Sequence, residues 1–124
     1  MDAVRIGLVS AINYKNGTVR VTYPDRDDCV TAEIPIFSFT GEYKPPKVGE
    51  EVLVLHLSNG EEAGVMLGKY WSGENRPPIS GKGFRKELGE TVGEAYLQYK
   101  NGTLTIHAGT IRLDGSVSCP NPHY

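Results

Sequence analysis

The sequence predicts an all-β protein in two parts: a small N-terminal barrel of antiparallel strands, and a short C-terminal set of strands that cannot fold alone. Three observations carry this expectation. Fifteen glycines and eight prolines in 124 residues punctuate the chain at short intervals, which suits many short strands rather than long helices. No segment of residues 1–72 repeats its apolar positions with the 3.6-residue period of a helix. Alternating apolar residues return after residue 90, behind a turn-rich, charged break.

The first strand is read in residues 5–12, RIGLVSAI, which lead into Asn13-Tyr14-Lys15-Asn16-Gly17. Asn-Gly is a strong hairpin signal because both central residues of a tight turn take positive φ. Residues 18–23 return, with Val19, Val21 and Tyr23 on one face and Thr18, Arg20 and Thr22 on the other, and Pro24 ends the strand. Asp25-Arg26-Asp27-Asp28 reads as a loop. A third strand is expected over residues 31–37, where Pro35 confines it to an edge or an irregular position. Residues 40–50 are turn-rich. The most hydrophobic run follows, EVLVLHL at 51–57, with Leu53, Leu55 and Leu57 facing one way and Val52, Val54 and His56 the other. Both faces are apolar, so both are expected to be covered. Asn59-Gly60 turns the chain into a fifth strand over residues 62–70. Five short strands in about 70 residues fit a five-stranded barrel of the OB type, with an SH3-like barrel as the competitor.

Residues 73–90, GENRPPISGKGFRKELGE, read as a linker with one helical turn at 84–88. A strand over 94–99 and a turn at Asn101-Gly102 come next. In the strand after it, Leu104 and Ile106 share one face while Thr103, Thr105 and His107 share the other. Gly109 interrupts, the alternation resumes at Ile111 and Leu113, and Asp114-Gly115 turns again. These 25 or so residues cannot close a core, since domains below roughly 40 residues usually need a metal, disulfides or oligomerisation. Assembly about a shared axis would place Leu104, Ile106, Ile111 and Leu113 of each chain inside one prism. The pentapeptide YKNGT occurs at 14–18 and again at 99–103, but its surroundings differ, so it is not a repeat unit. Each copy is read as a hairpin turn, the first within one chain and the second within an assembly.

The formal net charge is −2, which gives no electrostatic reason to approach phosphate backbones or anionic lipid. Residues 1–72 hold seven Lys/Arg against ten Asp/Glu, residues 73–124 six against five, and the last nine, SVSCPNPHY, carry no charged side chain. Cys29 and Cys119 are expected to be reduced thiols. No stretch approaches the ~20 apolar residues of a membrane span, and MDAVRIGLVS lacks the regions of a secretory signal. Synthesis and folding in a cytoplasm are therefore expected.

The chain resembles the central spike proteins of contractile tails, also called the phage baseplate assembly protein V family. Arg5-Ile6-Gly7-Leu8-Val9 before a hairpin is similar to their opening. Residues 45–55, PPKVGEEVLVL, are similar to their Pro-x-Val-Gly-x-x-Val-Leu-Val segment. Residues 63–68, AGVMLG, and Asn75-Arg76-Pro77-Pro78 resemble the last barrel strand and its exit. Leu104-Thr105-Ile106 and Ile111-Arg112-Leu113-Asp114-Gly115 resemble repeats of the spike's β-helix. The resemblance spans nearly the whole chain in order. It implies an OB barrel over residues 1–72, a linker over 73–90, an intertwined trimeric β-helix or β-prism needle over 91–115, and a tip over 116–124. It also implies a homotrimer made in a bacterial cytoplasm and assembled into a phage tail, a phage-like bacteriocin or a related injection machine. There it would sit below the baseplate hub protein and be driven into the target envelope by sheath contraction. The work comes from the sheath, so such a spike needs no active site.

Many relatives end in His-x-His, which supplies six imidazoles to one iron ion in the trimer. This chain departs from that pattern, with Cys119-Pro120-Asn121-Pro122-His123-Tyr124. Three copies of His123 would form a three-nitrogen site on the axis, and thiolates from Cys119 would favour zinc. The competing reading makes His123 a frayed end and Cys119 a small buried plug. Pro120 and Pro122 stiffen an uncharged tip. Elsewhere, His56 is expected at an interface or partly exposed, and His107 in solvent. Asp25, Asp27, Asp28 and Glu33 are expected in a solvated loop without the spaced ligands of a calcium site. Tyr70-Trp71 would pack the barrel against the linker or a neighbouring chain. The alternative function is an OB-fold module for nucleic acid or carbohydrate. The negative charge and the scarcity of strand aromatics weigh against it. A wall hydrolase is disfavoured because the linker offers no nucleophile–base or carboxylate pair.

Overall fold

A computed structural model of the chain describes residues 3–57 and 63–120. The described residues form two antiparallel sheets and no α-helix. They fall into two compact units, Met1–Pro77 and Pro78–Tyr124. No helix among the described residues is long and apolar enough to cross a membrane.

The first unit contains β1 (Val4–Asn13), β2 (Thr18–Tyr23), a 3-10 turn at Pro24–Arg26, β3 (Cys29–Val30), β4 (Ile34–Pro35), β5 (Glu51–His56) and β6 (Gly64–Gly68). The strand order is β3-β2-β1-β5-β6, with β4 also paired to β2. The expected third strand, 31–37, is divided. Its first part moves up to Cys29–Val30 and its second shrinks to two residues around Pro35, which has no N–H to extend a ladder. Residues 34–37 then reach the other end of the sheet. Ile34 pairs with Val19, Ile36 makes a parallel bridge to Met66, and the Phe37 N–H donates to the Met66 carbonyl at 2.9 Å.

The core follows from strict alternation. Arg5, Gly7 and Val9 of β1 face inward, as do Val19, Val21 and Tyr23 of β2, Val52, Val54 and His56 of β5, and Met66 of β6. With Ile34, the apolar members of this set form one cluster. Burying each large aliphatic side chain stabilises by about 1.5–3 kcal/mol. Gly7 is required by close approach: a Cβ there would lie 2.5 Å from Val21 Cγ1 and 2.8 Å from the Thr22 carbonyl.

One histidine differs from expectation. His56 is buried, because the β5 alternation places it beside Tyr23, whose hydroxyl lies 2.6 Å from His56 Nε2. Arg5, also buried, lays its guanidinium 4.0 Å from the centre of the Tyr23 ring and ends on Asp25 at 3.0 Å. Burial pushes the Tyr23 phenol above its ordinary value, against a smaller opposing pull from Arg5. This polar group fixes the position of the turn after β2.

The two YKNGT stretches fold differently. The first makes a four-residue loop, 14–17, closed by the Gly17 N–H on the Asn13 carbonyl, and Asn16 is not in the left-handed region. The second is a two-residue hairpin with both Asn101 (φ 52°) and Gly102 (φ 80°) left-handed, as a tight twisted hairpin demands.

Candidate assembly surface

The second unit holds β7 (Phe84–Glu87), β8 (Tyr96–Lys100) and β9 (Thr103–His107) in the order β7-β8-β9. The helical turn expected at 84–88 is instead strand β7. Phe-Arg-Lys-Glu has no strand pattern of its own, and β8 supplies it with the ladder partner that makes it one. Gly83 lets the chain enter this ladder, since a Cβ there would sit 2.9 Å from the Tyr99 carbonyl oxygen.

The register sorts the side chains into two faces. Glu87, Tyr96 and His107 lie in one cross-strand row, and Arg85, Gln98 and Thr105 in the next. On the opposite face, Phe84, Tyr99 and Leu104 form one row and Lys86, Leu97 and Ile106 another. Cross-strand neighbours of this kind are in contact range.

The polar face is knitted together. Arg85 pairs with Glu87, donates to Gln98 Oε1 at 2.9 Å, and lies 3.7 Å from the centre of the Tyr96 ring. His107 stacks on the same ring, with centroids 5.1 Å apart. The loop before β8 folds over this face: the Gly93 N–H donates to Glu87 Oε1 at 2.8 Å. As a result the Arg85 and Glu87 side chains are only 12% and 15% exposed.

The apolar face has no such cover. Leu104 is 66% exposed and Ile106 49%, and Phe84 and Tyr99 are exposed as well. No residue from 78 to 120 is buried. A sheet that shelters Arg85 and Glu87 and bares Leu104 and Ile106 inverts the usual arrangement.

Of the residues expected in a needle core, Leu104 and Ile106 therefore stand together on β9. Ile111 and Leu113 do not join them in a sheet. The alternation expected to resume there carries no strand among the described residues, because Gly109 breaks β9 and the single chain offers 111–113 no ladder partner. Both are exposed, at 52% and 69%. Of the tip residues, Cys119 and Pro120 are exposed in the single chain. Pro122 and His123 lie outside the described residues. Phe84, Leu97 and Tyr99 were not anticipated on this surface. Residues 84–87 carry no local strand pattern, and only the ladder with β8 brings Phe84 into this row.

The other candidates resolve into structural contacts. Glu33 accepts from Thr18 at 2.8 Å and Asn13 at 3.1 Å, and these donors hold its carboxyl below the usual range. Asp25 belongs to Arg5. The Tyr70 hydroxyl donates to Glu51 at 2.6 Å, while Trp71 is exposed. Among the described residues, no group of three or more His, Cys, Asp or Glu is placed to hold a metal ion. No protein-family model matches the chain, and no curated protein sequence matches it significantly.

Proposed function

We propose that this chain is the central spike of a contractile tail or tail-like injection machine, working as a homotrimer. The observation that carries the proposal is the bare apolar face of β7–β9 on a unit none of whose described residues is buried. A unit of this size gains too little from burial within itself to offset its chain entropy. Its stability must come from other chains, and a threefold assembly turns the three apolar faces inward. The result is a stiff prism with its apolar faces at the centre, as a needle loaded along its axis requires. Residues 116–120, uncharged and rich in small side chains, would continue to the apex, with His123 of three chains converging there on a metal ion such as iron or zinc.

In this reading the first unit is an OB-type barrel that mounts the needle on the baseplate hub protein. The strand order, with residues 34–37 bridging β2 and β6, supports a closed sheet of that kind. The role calls for position and stiffness and needs no catalysis. The test is immunogold labelling of contractile particles from the bacterium that encodes the chain. Label at the baseplate end of intact particles is the expected result. Label absent from particles, with the protein recovered only in the soluble fraction, would contradict the proposal.

A further inference from the structure

We propose that the copies join edge to edge, β9 of each chain pairing in parallel with β7 of the next, so that three chains close a nine-stranded prism. This rests on the trimeric reading above and specifies how the trimer is held. Within the chain β8 is paired on both sides, whereas β7 and β9 each keep one free edge among the described residues. Free edges attract further strands, and closing the sheet removes them.

Topology sets the direction of that pairing. In an antiparallel meander of three strands, the first and third run the same way. A rotation axis along the strands leaves that direction unchanged. Each β9 therefore meets the neighbouring β7 in parallel.

The other pairings fail on chemistry and closure. β7 against itself in antiparallel register, with the apolar faces kept on one side, centres on Lys86 opposite Lys86 or Arg85 opposite Arg85, a destabilising like-charge pair, and leaves two β9 edges open. β9 against itself leaves two β7 edges open, so the contact propagates instead of closing. β9 reads Thr-Leu-Thr-Ile-His, with no carboxylate, lysine or arginine to oppose the charges of β7. Closure repeats the Phe84–Tyr99–Leu104 row three times into an apolar ring. The Lys86–Leu97–Ile106 row forms the next layer.

Two experiments on the full chain test this. The first is amide hydrogen exchange on the unmodified protein at a concentration where light scattering gives its mass. The expected result is a trimer in which residues 84–87 and 103–107 are protected to within about tenfold of 96–100. A trimer whose edge strands exchange about a hundredfold faster than β8 would overturn edge pairing yet leave the spike reading standing. A monomer would overturn both. The second, in a Cys29→Ser, Cys119→Ser background, combines Arg85→Cys with Thr105→Cys, or with Thr103→Cys to allow a shifted register. Under mild oxidation at least one pair should run as a covalent trimer on a denaturing gel, and each single variant as a monomer. A covalent dimer from Thr105→Cys alone would mean that β9 meets β9, and would overturn the proposal.

Discussion

The two units use one sequence device to opposite effect. In the first, alternating strands turn Val9, Val19, Val21, Val52, Val54 and Met66 toward each other, and the apolar face disappears into a shared core. In the second, alternation is just as regular, yet Phe84, Tyr99, Leu104 and Ile106 face open surface while Arg85 and Glu87 are sheltered. The difference is in strand count and in the bridge that residues 34–37 make to β6. Six strands and the 34–37 bridge give the first sheet something to fold onto, whereas three strands in a meander have only one layer. Alternation says that a face exists; it does not say whose atoms cover it.

Substitutions at matched positions sharpen this contrast. The largest effect is expected from Ile106→Asp, which would bring three carboxylates together in a water-excluded interior and abolish assembly. The thermal transition of residues 1–77 should persist. An unchanged oligomer of unchanged stability would show that Ile106 does not point into an interface. Next, Ile34→Ala should cost the first unit about 2–5 kcal/mol by leaving a cavity, with a denaturation midpoint independent of protein concentration. Ile106→Ala should instead lower a transition that moves with concentration, because in the proposed trimer the atoms it removes would contact other chains. Gly7→Ala overpacks the Val21–Tyr23 contact and is expected to cost about 1–3 kcal/mol.

The smallest effect is a pH dependence. The folded Tyr23 phenol titrates above its ordinary value of 10.0. The stability linked to it is therefore fully present below that pH and is lost as pH rises through the folded value. Urea unfolding of the first unit should weaken on this alkaline limb, and Tyr23→Phe should flatten it. An identical alkaline loss in the variant would assign the effect to other groups.

Much of the fold was legible in the chain. The strands around Val19–Val21, Val52–Val54 and Leu104–Ile106 follow from period-two patterning, which is local information. Three features were not legible, for related physical reasons. Residues 84–87 sit among prolines and glycines, and only pairing with β8 makes them a strand. His56 was expected at an interface or partly exposed, and not buried, because its partner, Tyr23, is 33 residues away. The two YKNGT turns differ because the flanking registers differ, Asn13 pairing with Thr18 in one and Lys100 with Thr103 in the other. Of the assembly surface, Leu104 and Ile106 were readable from alternation. Phe84, Leu97 and Tyr99 needed the cross-strand rows.

The central claim is that the second unit acquires its core only from other copies of the chain. Absolute mass by light scattering tests it most directly, on the full chain and on a chain ending at Pro77. Three times the 13.6 kDa chain mass is expected for the first and a monomer or weak oligomer for the second. A full-length monomer would contradict it, because the apolar face of β7–β9 would then be covered within the chain itself.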